Sequence, residues 1–363
     1  MTTKTCRAPR RYTARRVFLI GTIVIFVFSL FSICSSVFAF HMTFRRRAEP
    51  PYTLTMSYTA SDEAAYPRME VDFPSGNNTL RGYLYGMDNH KGIVIVVNGF
   101  HATQNGHLGE VFYFVDDGWS VLTFDSTGVG LSDGNSLIGL EQFRRDVLAA
   151  LDFVSQSPHT KDLPVFLYGH SAGGYAVATV CDDPRVSASI CISGFNSALD
   201  MMHFFARKYV GFLADIEYPF LRLYDSFLFG EDGQITAAEQ LHSAVHPVWI
   251  VQGTEDDIVP LSQSIYARCD SIENRNVTTL LLDEEYRNEH SSIWLATDAA
   301  SELQQLSAYG EEMVSQYGDD LPEEVQNQLS RNVSRSNQLL RTLDTDFMNE
   351  VSQFFTRALP IQE

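Results

Sequence analysis

The chain has 363 residues, 45% of them apolar, and 26 bases against 45 acids give it a net charge of −19. An acidic body of this kind excludes recognition of nucleic acid or of an anionic membrane surface through the domain's charge. Five scattered cysteines exclude a disulfide scaffold, and neither they nor the other residues show metal-ligand spacing, so no metal and no organic cofactor is expected.

The first 47 residues carry nine bases and no acid, leaving 17 bases against 45 acids in the remainder. Residues 1–16 read as a basic cytoplasmic tail, and residues 17–40 form an uncharged apolar run long enough to cross a bilayer as a helix. Six bases precede the run and three follow, which favours a cytoplasmic N-terminus and a single-pass membrane protein with its domain outside the cytoplasm. The competing reading is a cleaved signal peptide, because Val37-Phe38-Ala39 resembles a small-residue cleavage site. Residues 41–67 are expected to be a polar tether. Asn77, Asn276 and Asn332 stand in glycosylation sequons, of use only in a eukaryotic secretory pathway.

From residue 68 onward, short strand-like runs alternate with helical ones. Segments 69–73 and 79–85 flank Ser75-Gly76-Asn77-Asn78 and read as a hairpin. The run 92–97 is continuously apolar, as in a strand covered on both faces. A strand at 120–124 is followed by a helix whose apolar positions are Leu140, Phe143, Val147, Leu151 and Val154. Strands at 163–168, 188–192, 248–251 and 277–282 complete a mainly parallel sheet with helices on both faces. Two stretches break the alternation. Residues 196–240 are rich in Phe and Met and read as a short helical lid; residues 298–343 are polar, with helical spacing of Leu321, Val325, Leu329 and Val333.

Directly after the 163–168 strand stands Gly169-His170-Ser171-Ala172-Gly173, with helix formers following. Gly-x-Ser-x-Gly at a strand-to-helix turn lifts a serine out of the chain on a strained backbone, and side chains at the glycine positions would strike the neighbouring elements. A serine hydroxyl needs a base and the base an orienting acid, each on a loop after a later strand. His290 is the only histidine beyond strand 248–251 and its loop. That loop, Gly253 to Pro260, offers Glu255, Asp256 and Asp257 as competing acids. For the oxyanion, backbone amides are needed from Ala172 and from the loop after strand 92–97, where Asn98-Gly99-Phe100 makes Phe100 the second donor.

These motifs, in order, resemble those of α/β-hydrolases of the group that includes monoacylglycerol lipases, lysophospholipase-like esterases and proline-type aminopeptidases. Asn98-Gly99-Phe100 resembles the oxyanion segment and Asp125 to Gly134 the Asp-x-Arg-Gly-x-Gly-x-Ser-x-Gly loop. Gly253 to Pro260 resembles Gly-x-x-Asp-x-x-Val-Pro, in which the family's aspartate aligns with Asp256. Asn98 and Thr127 depart from the family's histidine and arginine, His290 lacks a preceding glycine, and 298–343 stands as an insertion. The resemblance implies an α/β-hydrolase domain over 68–363, and a triad of Ser171, Asp256 and His290 with Phe100 and Ala172 as the oxyanion hole. It implies a serine esterase acting on a small acyl ester through an acyl-enzyme. Two alternatives stand beside it: a serine aminopeptidase, with Asp200, Asp215, Glu217 or Asp225 of the lid binding an α-amine, and a catalytically silent binding module.

Overall fold

The structure is a computed structural model that describes residues 11–318 and 320–360, with side chains from residue 15 onward; residues 1–10 of the basic tail lie outside the described residues. In chain order its helices are α1 (Arg11–Phe44), α2 (Ala60–Ala65), α3 (Leu108–Asp116), α4 (Gln142–Gln156), α5 (Ala172–Ala178), α6 (Ala198–Val210), α7 (Leu213–Phe229), α8 (Ala237–His242), α9 (Thr297–Tyr317), α10 (Glu323–Leu339) and α11 (Thr345–Arg357). The strands are β1 (Arg68–Ser75), β2 (Asn78–Tyr85), β3 (Ile93–Val97), β4 (Ser120–Phe124), β5 (Val165–His170), β6 (Val186–Ile192), β7 (Val248–Gly253) and β8 (Val277–Leu282).

They form one eight-stranded sheet in the order β1-β2-β4-β3-β5-β6-β7-β8. The β1–β2 hairpin turns on Gly76 at φ +58° and joins β4 antiparallel; every later pairing is parallel. Every residue of β3, β4, β5 and β7 is buried, as parallel strands covered on both faces require. One face packs on α4 and α5 through Phe143, Val147, Leu151 and Val177. The other packs on α3 and α11 through Phe114, Trp119, Phe166 and Phe355. The parallel strands share a direction, so the loops after β3, β5, β7 and β8 gather at one sheet edge.

Residues 41–67 differ from the free tether expected of their polarity. Helix α1 runs on to Phe44, and Phe40 and Phe44 enter the domain core at 4% and 2% exposure. The carbonyl of Phe44 accepts the Leu137 amide, and the Arg46 guanidinium donates to the carbonyls of Gly130, Ser132 and Gly134. Further on, Met56 is buried, and Asp62 of α2 pairs with Arg341 at 2.6 Å. The segment is a strap laid over the domain. Its apolar side chains find core, its backbone pairs with Asn135 and Leu137, and the Arg46 side chain takes the turn carbonyls of the 125–134 loop.

The 298–343 stretch forms a helical hairpin of α9 and α10, with Glu302 and Arg335 paired at 2.7 Å. Asn332 is buried there and bonded to Gln328, so this sequon is closed in the folded chain.

Candidate active site

Ser171 sits at φ +57° and ψ −117° between β5 and α5, a conformation an L-residue rarely adopts. The glycines around it have no room for a side chain. A Cβ on Gly169 would lie 2.4 Å from the Gly173 carbonyl oxygen, and one on Gly173 would lie 2.1 Å from that of Val97. Gly99 passes less tightly on the other side, its Cβ position 3.2 Å from Cβ of Ser171. The turn is therefore clamped between two strands and a helix, and the Ser171 side chain is aimed by steric necessity.

Asp256 and His290 meet across the loops after β7 and β8. The His290 Nδ1–H lies 2.8 and 2.9 Å from the two Asp256 oxygens. The carboxylate is buried and accepts three more bonds, from the Val259 amide at 2.7 Å, the Ile258 amide at 3.1 Å and Gln252 Nε2 at 3.0 Å. Glu255 and Asp257 are exposed. Of the three acids, Asp256 is the one facing the imidazole. The two loops are stapled where Gly253 passes Asn288: the Glu255 amide donates to the Asn288 carbonyl at 2.9 Å, and a Cβ on Gly253 would lie 2.2 Å from that oxygen. Ser171 Oγ makes no hydrogen bond to His290 among the described residues.

Ala172 follows Ser171 in the chain, and Phe100 follows Gly99, which passes beside Ser171. Neither of their amides has an acceptor among the described residues, so both are free to take an anionic oxygen. Phe100 is half-exposed, its ring against His101 and, edge-on at 5.6 Å, against Phe44 of α1. His101, at φ +59°, contacts the Thr43 carbonyl through Nε2 at 3.4 Å. The oxyanion loop thus rests on the end of the N-terminal helix.

Beside His290 lies a cluster that the sequence did not disclose. His170 Nε2 donates to the His290 carbonyl at 2.9 Å, fixing the loop that carries the imidazole. Its ring packs on His290, Trp294 and His107, and His107 in turn bonds to buried Glu110. Burial, with His290 and His107 nearby, holds His170 far below the usual imidazole range, so it stays neutral. The only sequence signal for it was the x position of the elbow; His107, Glu110 and Trp294 carry no motif.

The 196–240 stretch is α6, α7 and α8. Met201 is buried, and Met202, Phe204 and Phe205 pack on the core, whereas Phe212 and Phe227 are 69% and 82% exposed and face away from it. Lys208, at the end of α6, donates to the Asp257 carbonyl at 3.2 Å. A cavity of about 520 Å³ opens there, lined by Asp200, His203, Phe204, Arg207, Lys208 and Arg268 among others, beside the acid loop and not over Ser171.

Comparison with known proteins bears on the fold. A family model described as serine aminopeptidase S33 matches residues 88–222. An esterase from Pyrococcus furiosus, Pf2001, superposes with a TM-score of 0.52 over 80% of this chain and 98% of its own, at 18% identity. A polyketide transferase of a Penicillium species is 27% identical over 132 residues, and one from Stachybotrys chlorohalonatus 31% over 134. Each match covers 35% of this chain, and the chain spans less than half the length of these curated relatives, 45% and 44%. The fold and the ordered motifs define the class. The chain has the α/β-hydrolase fold, and the stretch that the serine aminopeptidase S33 model matches holds the Ser171 elbow.

Proposed function

We propose that the protein is a membrane-anchored, exported serine hydrolase that cleaves carboxylic esters of small acyl substrates. The observation that carries this reading is the strained Ser171 elbow flanked by two free amides, Phe100 and Ala172, with Asp256 and His290 paired beside it. In the reaction Ser171 Oγ attacks the acyl carbonyl while His290 Nε2 takes its proton. The Phe100 and Ala172 amides bind the tetrahedral oxyanion, and His290 returns the proton to the leaving alcohol. Water, activated by the same imidazole, then releases the acid. Asp256 keeps Nδ1 protonated and stabilises the imidazolium. The missing Ser171–His290 bond is no obstacle, since such bonds often tighten only with substrate present.

The aminopeptidase alternative is favoured by the description of the matching family model. An α-amine would need a free and accessible lid carboxylate; three of the four are bonded and the fourth is closed off from solvent. Asp200 accepts from Tyr218, Asp215 from His203, and Glu217 from Ser35 and Ser36, while Asp225 is buried. Retention of α1 is favoured over a cleaved signal peptide by its packing, because Phe28 and the Ser35–Ser36 pair touch α7 upstream of Ala39. The test is fluorophosphonate labelling of the full chain, with the adduct mapped by mass spectrometry, followed by turnover of p-nitrophenyl esters and aminoacyl amides. Labelling at Ser171 and faster ester cleavage are expected. Labelling elsewhere overturns the nucleophile, and faster release of an N-terminal amine makes this a peptidase.

A further inference from the structure

Helix α7 packs against α1. The Phe28 and Phe220 rings meet at 6.4 Å, Phe40 and Tyr224 at 5.3 Å, the Ser35 and Ser36 hydroxyls donate to Glu217, and the Tyr224 hydroxyl pairs with His41 at 2.7 Å. Beside that contact α7 carries a second apolar stripe with nothing over it: Phe212, just before its first turn, then Ile216, Pro219, Leu223 and Phe227. Their spacing of four, three, four and four residues keeps them on one face. Tyr209, Val210 and Leu213 extend the patch at 85%, 51% and 50% exposure. An apolar surface of this extent is not left to water by a soluble domain without a partner.

The arithmetic of α1 names the partner. An α-helix rises about 1.5 Å per residue, so Phe28 stands roughly 18 Å from Arg16 and Ser36 roughly 30 Å, against a hydrocarbon layer about 30 Å thick. If Arg16 marks one interface, Ser36 and the Glu217 carboxylate reach the opposite one, while Phe28 and its partner Phe220 lie inside the hydrocarbon. Helix α7 cannot touch Phe28 from the water. Arg207 and Lys208 stand just before the patch, where cations on long stems reach headgroups.

We propose that α7 is seated in the leaflet on the domain's side of the membrane, its exposed stripe continuing the lipid-facing surface of α1. The bilayer lipid is then the surface beside which the site takes up its acyl substrate. This rests on the reading of α1 as a retained membrane span.

The test places single nitroxide labels in the full chain, in a Cys6→Ser, Cys34→Ser background, reconstituted in phosphatidylcholine vesicles. Labels go on Leu223→Cys and Phe227→Cys in the cap, Val24→Cys in α1 and Gln353→Cys in α11. Expected is relaxation by oxygen over a nickel chelate at 223 and 227, as at 24, and the reverse at 353. Labels at 223 and 227 that behave like 353 while 24 stays in lipid overturn the seated cap and leave the span standing. A water-exposed label at 24 overturns both. Dipolar broadening between labels at 227 would show a second copy of the chain on the stripe, which also overturns the proposal. As a functional arm, Leu223→Glu with Phe227→Glu should slow cleavage of a medium-chain ester held in vesicles by more than about tenfold, and of a soluble acetyl ester less than about twofold. Equal losses on both refute the proposal.

Discussion

The loops above the strand ends and the cap that lies beside them are built in opposite ways. In the loops the carboxylates are tied: Asp256 takes five bonds from four groups, Asp125 holds the Gln104 and Leu131 amides, and three glycines sit where a Cβ would strike backbone. In the cap the outer face is bare apolar surface, and the inner face buries two carboxylates without a donor. Asp225 of α7 and Glu141, at the start of α4, are 0% and 1% exposed, and none of their four oxygens has a hydrogen-bond partner among the described residues. The first region is fixed so that it can aim chemistry. The second is held by terms that solvent, pH and lipid can change.

The contrast is broken most severely at the nucleophile. Ser171→Ala should remove turnover and fluorophosphonate labelling by more than about a thousandfold while leaving the circular dichroism spectrum unchanged. His290→Ala should be nearly as damaging, and Asp256→Asn should retain roughly tenfold to a hundredfold more activity, read as kcat on one ester. A stable His290→Ala protein with normal kcat would refute the assignment of the base.

Rigidity of the loop region is probed at Gly173. Its alanine variant must displace the Val97 carbonyl, and a stability loss of about 2–3 kcal/mol is expected in urea unfolding. His170→Phe keeps the ring packing and deletes the bond to the His290 carbonyl. A fall in kcat of roughly tenfold to a hundredfold with KM little changed would mark it as a positioning residue. Because His170 is held neutral, the acidic limb of the pH profile should not move.

The gentlest effect is expected in the cap. Burial, and then Asp225, pushes the Glu141 carboxyl well up; burial pushes Asp225 up to about 6. A carboxyl whose folded value is raised favours the folded state in acid and weakens it as pH climbs from the unfolded value, near 4, through the folded one. Docking of α7 should therefore loosen as pH climbs from about 4 through about 6, where Asp225 ionises, and loosen further as the more strongly raised Glu141 follows. Limited proteolysis at 209–212 should be on the order of tenfold slower at pH 4.5 than at pH 7.5. Asp225→Asn supplies a donor to Glu141 and should flatten that difference; an unchanged pH dependence would clear the pair of this role.

Much of the loop region was legible because its chemistry is written in neighbouring residues. The elbow, the Gly253 to Pro260 loop and the continuous apolar strands each carry a local signal, and their order along the chain pointed to the Asp256 and His290 that the fold pairs. His170 could be located but not understood, since its partner is the carbonyl of a residue 120 positions away. Glu141 and Asp225 were less readable still: one precedes an ordinary amphipathic helix and the other was grouped with surface acids of the lid. The strap was misjudged for the same reason. Composition registers the three arginines at 45–47, but not that Phe40 and Phe44 before them enter the core and that Arg46 caps the carbonyls of a distant turn.

That strap gives proteolytic release two different meanings. A cut after Ala39 would free the domain with Phe40 and Phe44 still attached, so the ring under Phe100 and the carbonyl that holds Leu137 would stay in place. A cut within Arg45-Arg46-Arg47, an exposed tribasic site, would separate both phenylalanines from the domain and sever the chain beside the guanidinium that gathers the 130–134 carbonyls. The first product would keep the loop after β3 braced and lose the α1 face on which Phe220 and Glu217 rest. The second would be a domain whose β3 loop has lost its floor, so six or seven residues of difference in the scissile position decide whether that loop stays supported.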